Sequence, residues 1–140
     1  YHHRADERWT GDCLSALSSA TDDDGKPSTV RVERDGDAYR IDRDGDADRA
    51  SGCLMSYAYW NPALRGQTRL LNPQTGKVDA VRVERMGAGT IPVGGEPVAA
   101  TRYRIVGAQA PIDVWYSGAG EWIGLDSPVA EGKHRLSYRL

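Results

Sequence analysis

The sequence lacks the features that define several large protein classes. It has 140 residues without any run of about 18 apolar residues, so no helix that spans a membrane is predicted. The formal net charge is -2 and the pI is near 5.9, so the clustered basic surface that nucleic-acid binding needs is missing. Phenylalanine is absent, and the aromatic residues are seven Tyr and four Trp. We therefore predict one domain, residues 1–140, with no nucleic-acid partner and no membrane span.

Motifs of catalysis and metal binding are also scarce. The sequence contains no Gly-x-Ser-x-Gly elbow, phosphate loop or dinucleotide fingerprint. Its two cysteines, Cys13 and Cys53, do not have the close pairing of a zinc site. His134 lies at a position that strand alternation gives to a packed face, where a lone histidine is more often structural than a base. We predict no catalytic residue, metal or cofactor; an enzyme that uses His134 with a carboxylate is the alternative.

An acidic stretch is the one segment that suggests a cation. Four aspartates alternate around Gly45, namely Asp42, Asp44, Asp46 and Asp48. An EF-type calcium loop needs glycine at its sixth place and glutamate at its twelfth, whereas here Gly45 is fourth and Cys53 is twelfth. We interpret the stretch as a solvated hairpin turn, with a non-standard calcium loop as the alternative.

Short alternating segments between glycine turns are what the sequence does contain. Asp35-Gly36 and Asp44-Gly45 are hairpin signals between such segments. The region from Leu14 to Thr21 is a strand or a short helix, because Leu14 and Leu17 have helical spacing. Residues 87–95 are interpreted as a loop that contains a short extended segment from Thr90 to Val93. Eight to ten such segments predict an all-β fold: a curved antiparallel meander sheet, a half-barrel or incomplete barrel, with at most a short helix.

The last thirty residues concentrate aromatic side chains on three predicted strands. Alternation places Ile112, Val114 and Tyr116 on one face and Asp113 and Trp115 on the other. A second strand opens at Trp122, and a turn is predicted at residues 126–128. The last strand has His134, Leu136, Tyr138 and Leu140 on one face. Such alternation is typical of antiparallel strands that are packed on one side only.

Short motifs along nearly the whole chain resemble an uncharacterised family of exported proteobacterial β-proteins, a domain of unknown function. The motifs are Glu7-Arg8-Trp9, Thr21–Gly25, Tyr59–Pro62, Gln74–Gly76, Tyr103–Ile105, Trp115-Tyr116, Gly120–Leu125 and Leu136–Leu140. The resemblance implies a periplasmic or extracellular protein of a Gram-negative bacterium, and additional N-terminal strands before this chain. In an exported protein a Cys13–Cys53 disulfide is expected, with two buried small hydrophobic residues as the alternative.

The aromatic residues carry the functional hypothesis. Five of them form the predicted ligand site: Tyr59, Trp60, Trp115, Tyr116 and Trp122. Large amphipathic rings on a concave sheet suit a lipid-like ligand, although plain core packing also explains them. The fold expectation is distantly similar to half-barrel carriers of lipids and lipoproteins. We predict a non-enzymatic binding protein; the alternative is a structural or accessory subunit that docks through a sheet edge and exposed aromatics.

Overall fold

The protein is almost entirely β-structure. The computed structural model describes the backbone of residues 1–107, 111–129 and 134–139, and within these ranges the side chains up to Ser127. Twelve strands and one short 3₁₀ helix lie in these residues, and the two large sheets are open antiparallel meanders. Within the same residues, no helix has the length and apolar character needed to cross a membrane. The prediction of an open, all-β antiparallel fold is confirmed.

The chain forms two compact units, each built around one five-stranded sheet. The first unit comprises Tyr1–Tyr57 and Arg69–Asp79, and the second comprises Ala58–Thr68 and Ala80–Leu140. The strands that the sequence predicted for one curved sheet are therefore divided between two sheets. The single-domain assignment stays a prediction.

The sheet of the first unit follows chain order from β1 to β5. Its strands are β1 (His2–Thr10), β2 (Cys13–Asp23), β3 (Lys26–Asp35), β4 (Ala38–Arg43) and β5 (Asp46–Ser51). Asp24 and Asp44 have φ of 52° and 51° in the hairpin turns, each before a glycine, because tight hairpins need left-handed residues at these positions. Side chains from one face of this sheet and two leucines from outside it, Leu54 and Leu71, form a buried cluster, whose sheet members are Leu14, Leu17, Val30, Val32, Tyr39 and Ile41.

A short irregular region links the two sheets along the chain. It contains the 3₁₀ helix (Pro62–Gly66) and the strands β6 (Arg69–Leu71) and β7 (Val78–Ala80), which form a two-stranded sheet. The side chain of Asn61 caps the 3₁₀ helix by accepting a hydrogen bond from the Ala63 amide, and Pro62 fits the first turn because its missing N–H would be unpaired there.

The sheet of the second unit has the order β12-β11-β10-β9-β8. Its strands are β8 (Arg82–Val93), β9 (Glu96–Val106), β10 (Ile112–Ser117), β11 (Trp122–Val129) and β12 (His134–Arg139). Two predictions are wrong here. Residues 87–89 continue β8 instead of forming a loop, since Gly87 follows a β-bulge and pairing resumes beyond it, whereas the extended segment expected from Thr90 to Val93 is present as the end of this strand. Residues 126–128 pair with β12 instead of forming a turn.

Candidate functional site

The two faces of the second sheet have different chemistry. Cross-strand pairs share a face, and the pairs Tyr103–Val114 and Tyr116–Trp122 define one of them. We call this side, with Tyr103, Tyr116 and Trp122, the aromatic face. The opposite side is the charged face, with Arg102, Arg104, Asp113, Trp115 and Asp126. Of the five predicted ligand residues, Tyr116 and Trp122 therefore lie on the aromatic face, and Trp115 lies on the charged face.

Tyr116 is the centre of the aromatic face. It is only 1% exposed, and its hydroxyl donates a hydrogen bond of 2.8 Å to the carbonyl oxygen of Tyr59. Its ring meets Tyr103 edge-on at 6.0 Å between centroids. The ring of Tyr59 lies 6.3 Å from that of Trp122. Tyr59, Tyr116 and Trp122 thus form one connected cluster, which is the arrangement that favours aromatic packing beyond simple burial.

Burial raises the pKa of two tyrosine hydroxyl groups in this cluster. Desolvation raises the pKa of Tyr116 to about 12, because the charged phenolate is disfavoured away from water, while the nearby Arg65 guanidinium opposes the shift. Desolvation also raises the pKa of Tyr59. Both rings therefore stay neutral at physiological pH, and neither hydroxyl is suited to act as a base.

Residues 58–68 pack against the aromatic face of the sheet. Arg65 in the 3₁₀ helix stacks over the rings of Tyr103 and Tyr116, at 5.7 and 5.5 Å from their centroids. Leu64 of the same helix is fully buried. Trp60 directly precedes the helix cap, and its side chain is 54% exposed. A tryptophan that a rigid turn presents to solvent is unusual, because burial of so large an apolar ring is strongly favoured.

Trp122 presents mainly carbon to its surroundings. Its indole nitrogen donates a hydrogen bond of 2.7 Å to the backbone oxygen of Gly124, two residues along β11. The ring is half-buried, as is that of Tyr59. Since the polar atom of Trp122 is bonded within the protein, the exposed part of its ring is suited to apolar contacts.

Asp113 is the best-buried charged group of the opposite face. It is 2% exposed, and its carboxylate accepts hydrogen bonds from Arg104 Nε at 2.7 Å and Arg104 Nη2 at 3.1 Å. Arg102 Nε lies 3.5 Å from the same carboxylate. The carboxylate raises the pKa of Arg104 further above its ordinary value, so this arginine is permanently charged. Asp113 is therefore not an ordinary surface charge, because two arginines of the neighbouring strand β9 contact its buried carboxylate.

Trp115 belongs to the charged face. Its indole nitrogen donates a hydrogen bond of 3.0 Å to Asp126, and its outer ring lies over Gly89, where an added Cβ would be 3.5 Å away. Arg102 stacks at 5.6 Å from the ring centroid. A small apolar cluster of Ile91, Ala100 and Ile123 packs beside it. The indole of Trp115 therefore packs close to Gly89 of β8, at a distance where an added Cβ would make an ordinary van der Waals contact.

The structure therefore brings together only part of the predicted site. Tyr59, Tyr116 and Trp122 are in one cluster, and Trp60 is adjacent in sequence and exposed. Trp115 lies on the other face of the sheet, so the five residues do not share one surface. Sequence reasoning missed Arg65 and Tyr103, and also the Arg102–Asp113–Arg104 group, although the i, i+2 spacing of the two arginines signals that they share a face. Ligand binding itself stays a prediction.

The two cysteines form a disulfide. Cys13 and Cys53 are joined with a Cα–Cα distance of 5.2 Å, which closes a segment with a sequence separation of 40. The expected pairing is present, and the alternative of two buried free thiols is wrong. Disulfides form and persist in oxidising compartments.

Two other sequence features have a simple structural outcome. Asp42 and Asp44 accept hydrogen bonds from the amides of Gly45 and Thr29, at 2.9 and 2.7 Å, as turn residues do. Asp48 pairs with Arg43, and its pKa is lowered chiefly by a backbone hydrogen bond from Arg49. Among the described residues, no group of three possible metal ligands occurs. The side chain of His134 lies outside the described residues.

The fold and disulfide define an open, two-sheet, disulfide-bonded β-protein. Over its whole length, residues 1–140, the chain matches the family model for a domain of unknown function (DUF6134). The chain belongs to this family, and the resemblance to a family of unknown function is confirmed. No curated protein and no solved structure matches the chain.

Proposed function

We propose that this protein is a non-enzymatic, exported binding protein that holds an apolar, lipid-like group against Tyr59, Trp60 and Trp122. The main observation in favour is that Trp60 is 54% exposed. Its neighbour Tyr59 is held to the sheet by the hydrogen bond from the Tyr116 hydroxyl. Exposed aromatic side chains on a rigid support favour binding, because little side-chain freedom is lost when a ligand covers them. The disulfide supports export to the periplasm or the extracellular space.

The apolar character of the ligand is supported by where the polar atoms lie. The Trp122 N–H is bonded to Gly124, and the Tyr116 hydroxyl is bonded to Tyr59. At Trp122 a ligand therefore meets ring carbons before it meets a hydrogen-bonding atom. In this proposal Trp115 has no part in the apolar surface, because it belongs to the charged face.

Titration with a neutral apolar dye, N-phenyl-1-naphthylamine, tests the proposal. We expect saturable fluorescence enhancement with the native chain and a loss of affinity of about tenfold or more with Trp60→Ala, since one large ring contact is worth over 1 kcal/mol. Trp60→Ala is expected to fold because the ring is largely exposed. Met86→Ala removes another exposed apolar side chain of the same unit and is the matched control. Equal binding by all three proteins contradicts the proposal.

The alternative is an assembly subunit that docks through a sheet edge and exposed aromatics. Trp60 suits a protein partner as well as a small ligand. Two of the four edge strands of the large sheets argue against strand addition: β5 carries Asp46, Asp48 and Arg49, and β8 contains a bulge and Pro92, all of which hinder pairing with another strand. Size-exclusion chromatography distinguishes the two, because a monomer at micromolar concentration weakens the alternative.

A further inference from the structure

Two arginines of the charged face share a single buried carboxylate. Arg104 binds Asp113 through two hydrogen bonds, while Arg102 approaches the same group at 3.5 Å and stacks on Trp115. The Asp113 carboxylate is thus shared by two guanidinium groups, of which only Arg104 binds it through two hydrogen bonds. A buried ion pair is weak evidence for stability, since apolar residues of similar volume often replace such pairs without loss. This arrangement therefore calls for another explanation.

Both guanidinium groups keep hydrogen-bond donors that face outward. About a third of each side chain is exposed, 35% for Arg102 and 33% for Arg104. In the part of the chain that the structure describes, Arg104 Nη1 and both terminal nitrogens of Arg102 donate no hydrogen bond to the protein. Since the guanidinium fork matches the geometry of carboxylate and phosphate oxygens, these donors suit an oxyanion.

The two side chains are fixed before any ligand arrives. An ordinary surface arginine loses rotamer entropy when it is held in one geometry. Here Asp113 and the Trp115 ring hold the guanidinium groups already, and Trp115 is in turn fixed by its hydrogen bond to Asp126 and by the space above Gly89. The entropy of ordering these two side chains is therefore lost on folding and not on ligand binding, which is the general way in which preorganised sites gain affinity.

The cross-strand register shows which residues flank the two arginines. The row of Arg102 contains Gly87, Trp115 and Gly124, and the row of Arg104 contains Glu84, Asp113 and Asp126. Arg82 forms an ion pair with Glu84. Among the side chains that the structure describes here, three arginines thus face three carboxylates, and the site depends on the unused donors of Arg102 and Arg104 and not on an excess of positive charge.

We propose that Arg102 and Arg104 form a binding site for a small oxyanion, a carboxylate or phosphate group that accepts hydrogen bonds from both guanidinium groups. The site lies on the opposite face of the sheet from Tyr116 and Trp122, so it does not depend on the apolar surface proposed above. A neutral dye reports on the apolar surface and a small anion reports on this one, so the two proposals fail separately.

Nuclear magnetic resonance of the native chain tests the site. Sodium phosphate and sodium acetate are titrated at constant ionic strength, set with sodium chloride, while the Trp115 indole N–H and the arginine Nε–H signals are followed. Trp115→Phe assigns the indole signal. We expect a saturable shift with at least one of the two anions. Tighter binding of phosphate identifies a phosphate ligand, and equal or tighter binding of acetate identifies a carboxylate ligand.

Variants separate the site from general charge effects. Arg102→Gln leaves the Arg104–Asp113 pair intact, so we expect a folded protein whose anion affinity falls roughly tenfold, with Arg102→Lys in between. Arg85→Gln is the matched control, since Arg85 is an exposed arginine that pairs with Tyr103 on the other face of the same sheet. The absence of a saturable shift with both anions, or unchanged affinity in Arg102→Gln, overturns the proposal.

Discussion

Tyr116 shows how one residue joins the strands to the segment that covers them. Its ring fills the centre of the aromatic face, and its hydroxyl holds the backbone of Tyr59, the residue before Trp60. The same hydroxyl is buried, which raises its pKa to about 12. Burial of the Tyr116 hydroxyl accompanies its hydrogen bond to Tyr59 and also raises its pKa. The pH dependence of protein stability therefore reports on this contact.

We expect Tyr116 to make the protein less stable at high pH. Its contribution is fully present below pH 10, where the unfolded tyrosine is also neutral, and it is lost as pH rises toward 12, because only the unfolded state ionises in that range. The difference of about two pKa units corresponds to about 3 kcal/mol. Urea unfolding at pH 8.5 and pH 11.5 measures the part of this loss that is reached by pH 11.5, about 2 kcal/mol.

The variant Tyr116→Phe isolates the effect. It removes the hydrogen bond to Tyr59 and so costs about 1 kcal/mol at pH 8.5, but it should lose less stability between the two pH values. Tyr1→Phe, at a residue that is 64% exposed, is the control and should behave as the native chain does. If Tyr116→Phe and the native protein lose equal stability on going to pH 11.5, burial of this hydroxyl is not the cause.

At the scale of residues, the sequence predicts the disulfide and the face of each β10 side chain, but not the ion-pair partners of Asp113. Cys13 and Cys53 were paired correctly, since only two cysteines exist. The face of each residue on β10 also followed from alternation, with Tyr116 and Trp115 on opposite sides. The partners of Asp113 did not follow, because Arg102 and Arg104 reach it from another strand whose register no local pattern specifies.

Bulges explain most of the errors at the scale of strands. Leu14 and Leu17 have helical spacing although both lie on β2, because Trp9 pairs with Leu14 while Arg8 pairs with Ala16, which leaves Ser15 as an extra residue. Both leucines therefore reach the same buried face. Met86 has the same role in β8, where Arg85 and Gly87 pair with consecutive residues of β9. An inserted residue disrupts the period of two on which strand prediction depends.

The disulfide connects the start of β2 to the segment after β5. It acts beside two contacts that hold the same chain segments, the Leu14–Leu54 backbone hydrogen bond and the Tyr39 hydroxyl that donates to the Leu14 carbonyl. Removal of the disulfide should leave these contacts in place. The loss of stability then comes mainly from the greater freedom of the unfolded chain.

Replacement of both cysteines by alanine should lower the free energy of unfolding by about 4 kcal/mol, the loop-closure value for a separation of 40 residues. Urea unfolding of Cys13→Ala/Cys53→Ala and of the native protein measures this difference, and the native protein treated with a thiol reductant should behave as the double variant does. A difference below about 1 kcal/mol would show that the disulfide has little effect on the unfolded state.

For the whole molecule, sequence patterns predicted the class of fold but not its division. The turn signals and alternating segments predicted an open all-β protein, and the structure has two open sheets. The division between them occurs near residues 58–80, where short strands and a 3₁₀ helix lack a clear period. The surface proposed to bind a ligand combines Trp122 of β11 with Tyr59 and Trp60 from the segment before the 3₁₀ helix, and such distant contacts leave no signature in one sequence.

Native mass spectrometry of the protein isolated from its own source tests the central claim, that the aromatic surface holds an apolar ligand, most directly. The account predicts a monomer whose intact mass matches the disulfide-bonded chain plus an apolar molecule, which is released on unfolding. The same adduct should be missing from Trp60→Ala produced in the same source and retained by Met86→Ala. A bare monomer in every preparation, or an adduct that Trp60→Ala retains equally, would contradict the claim.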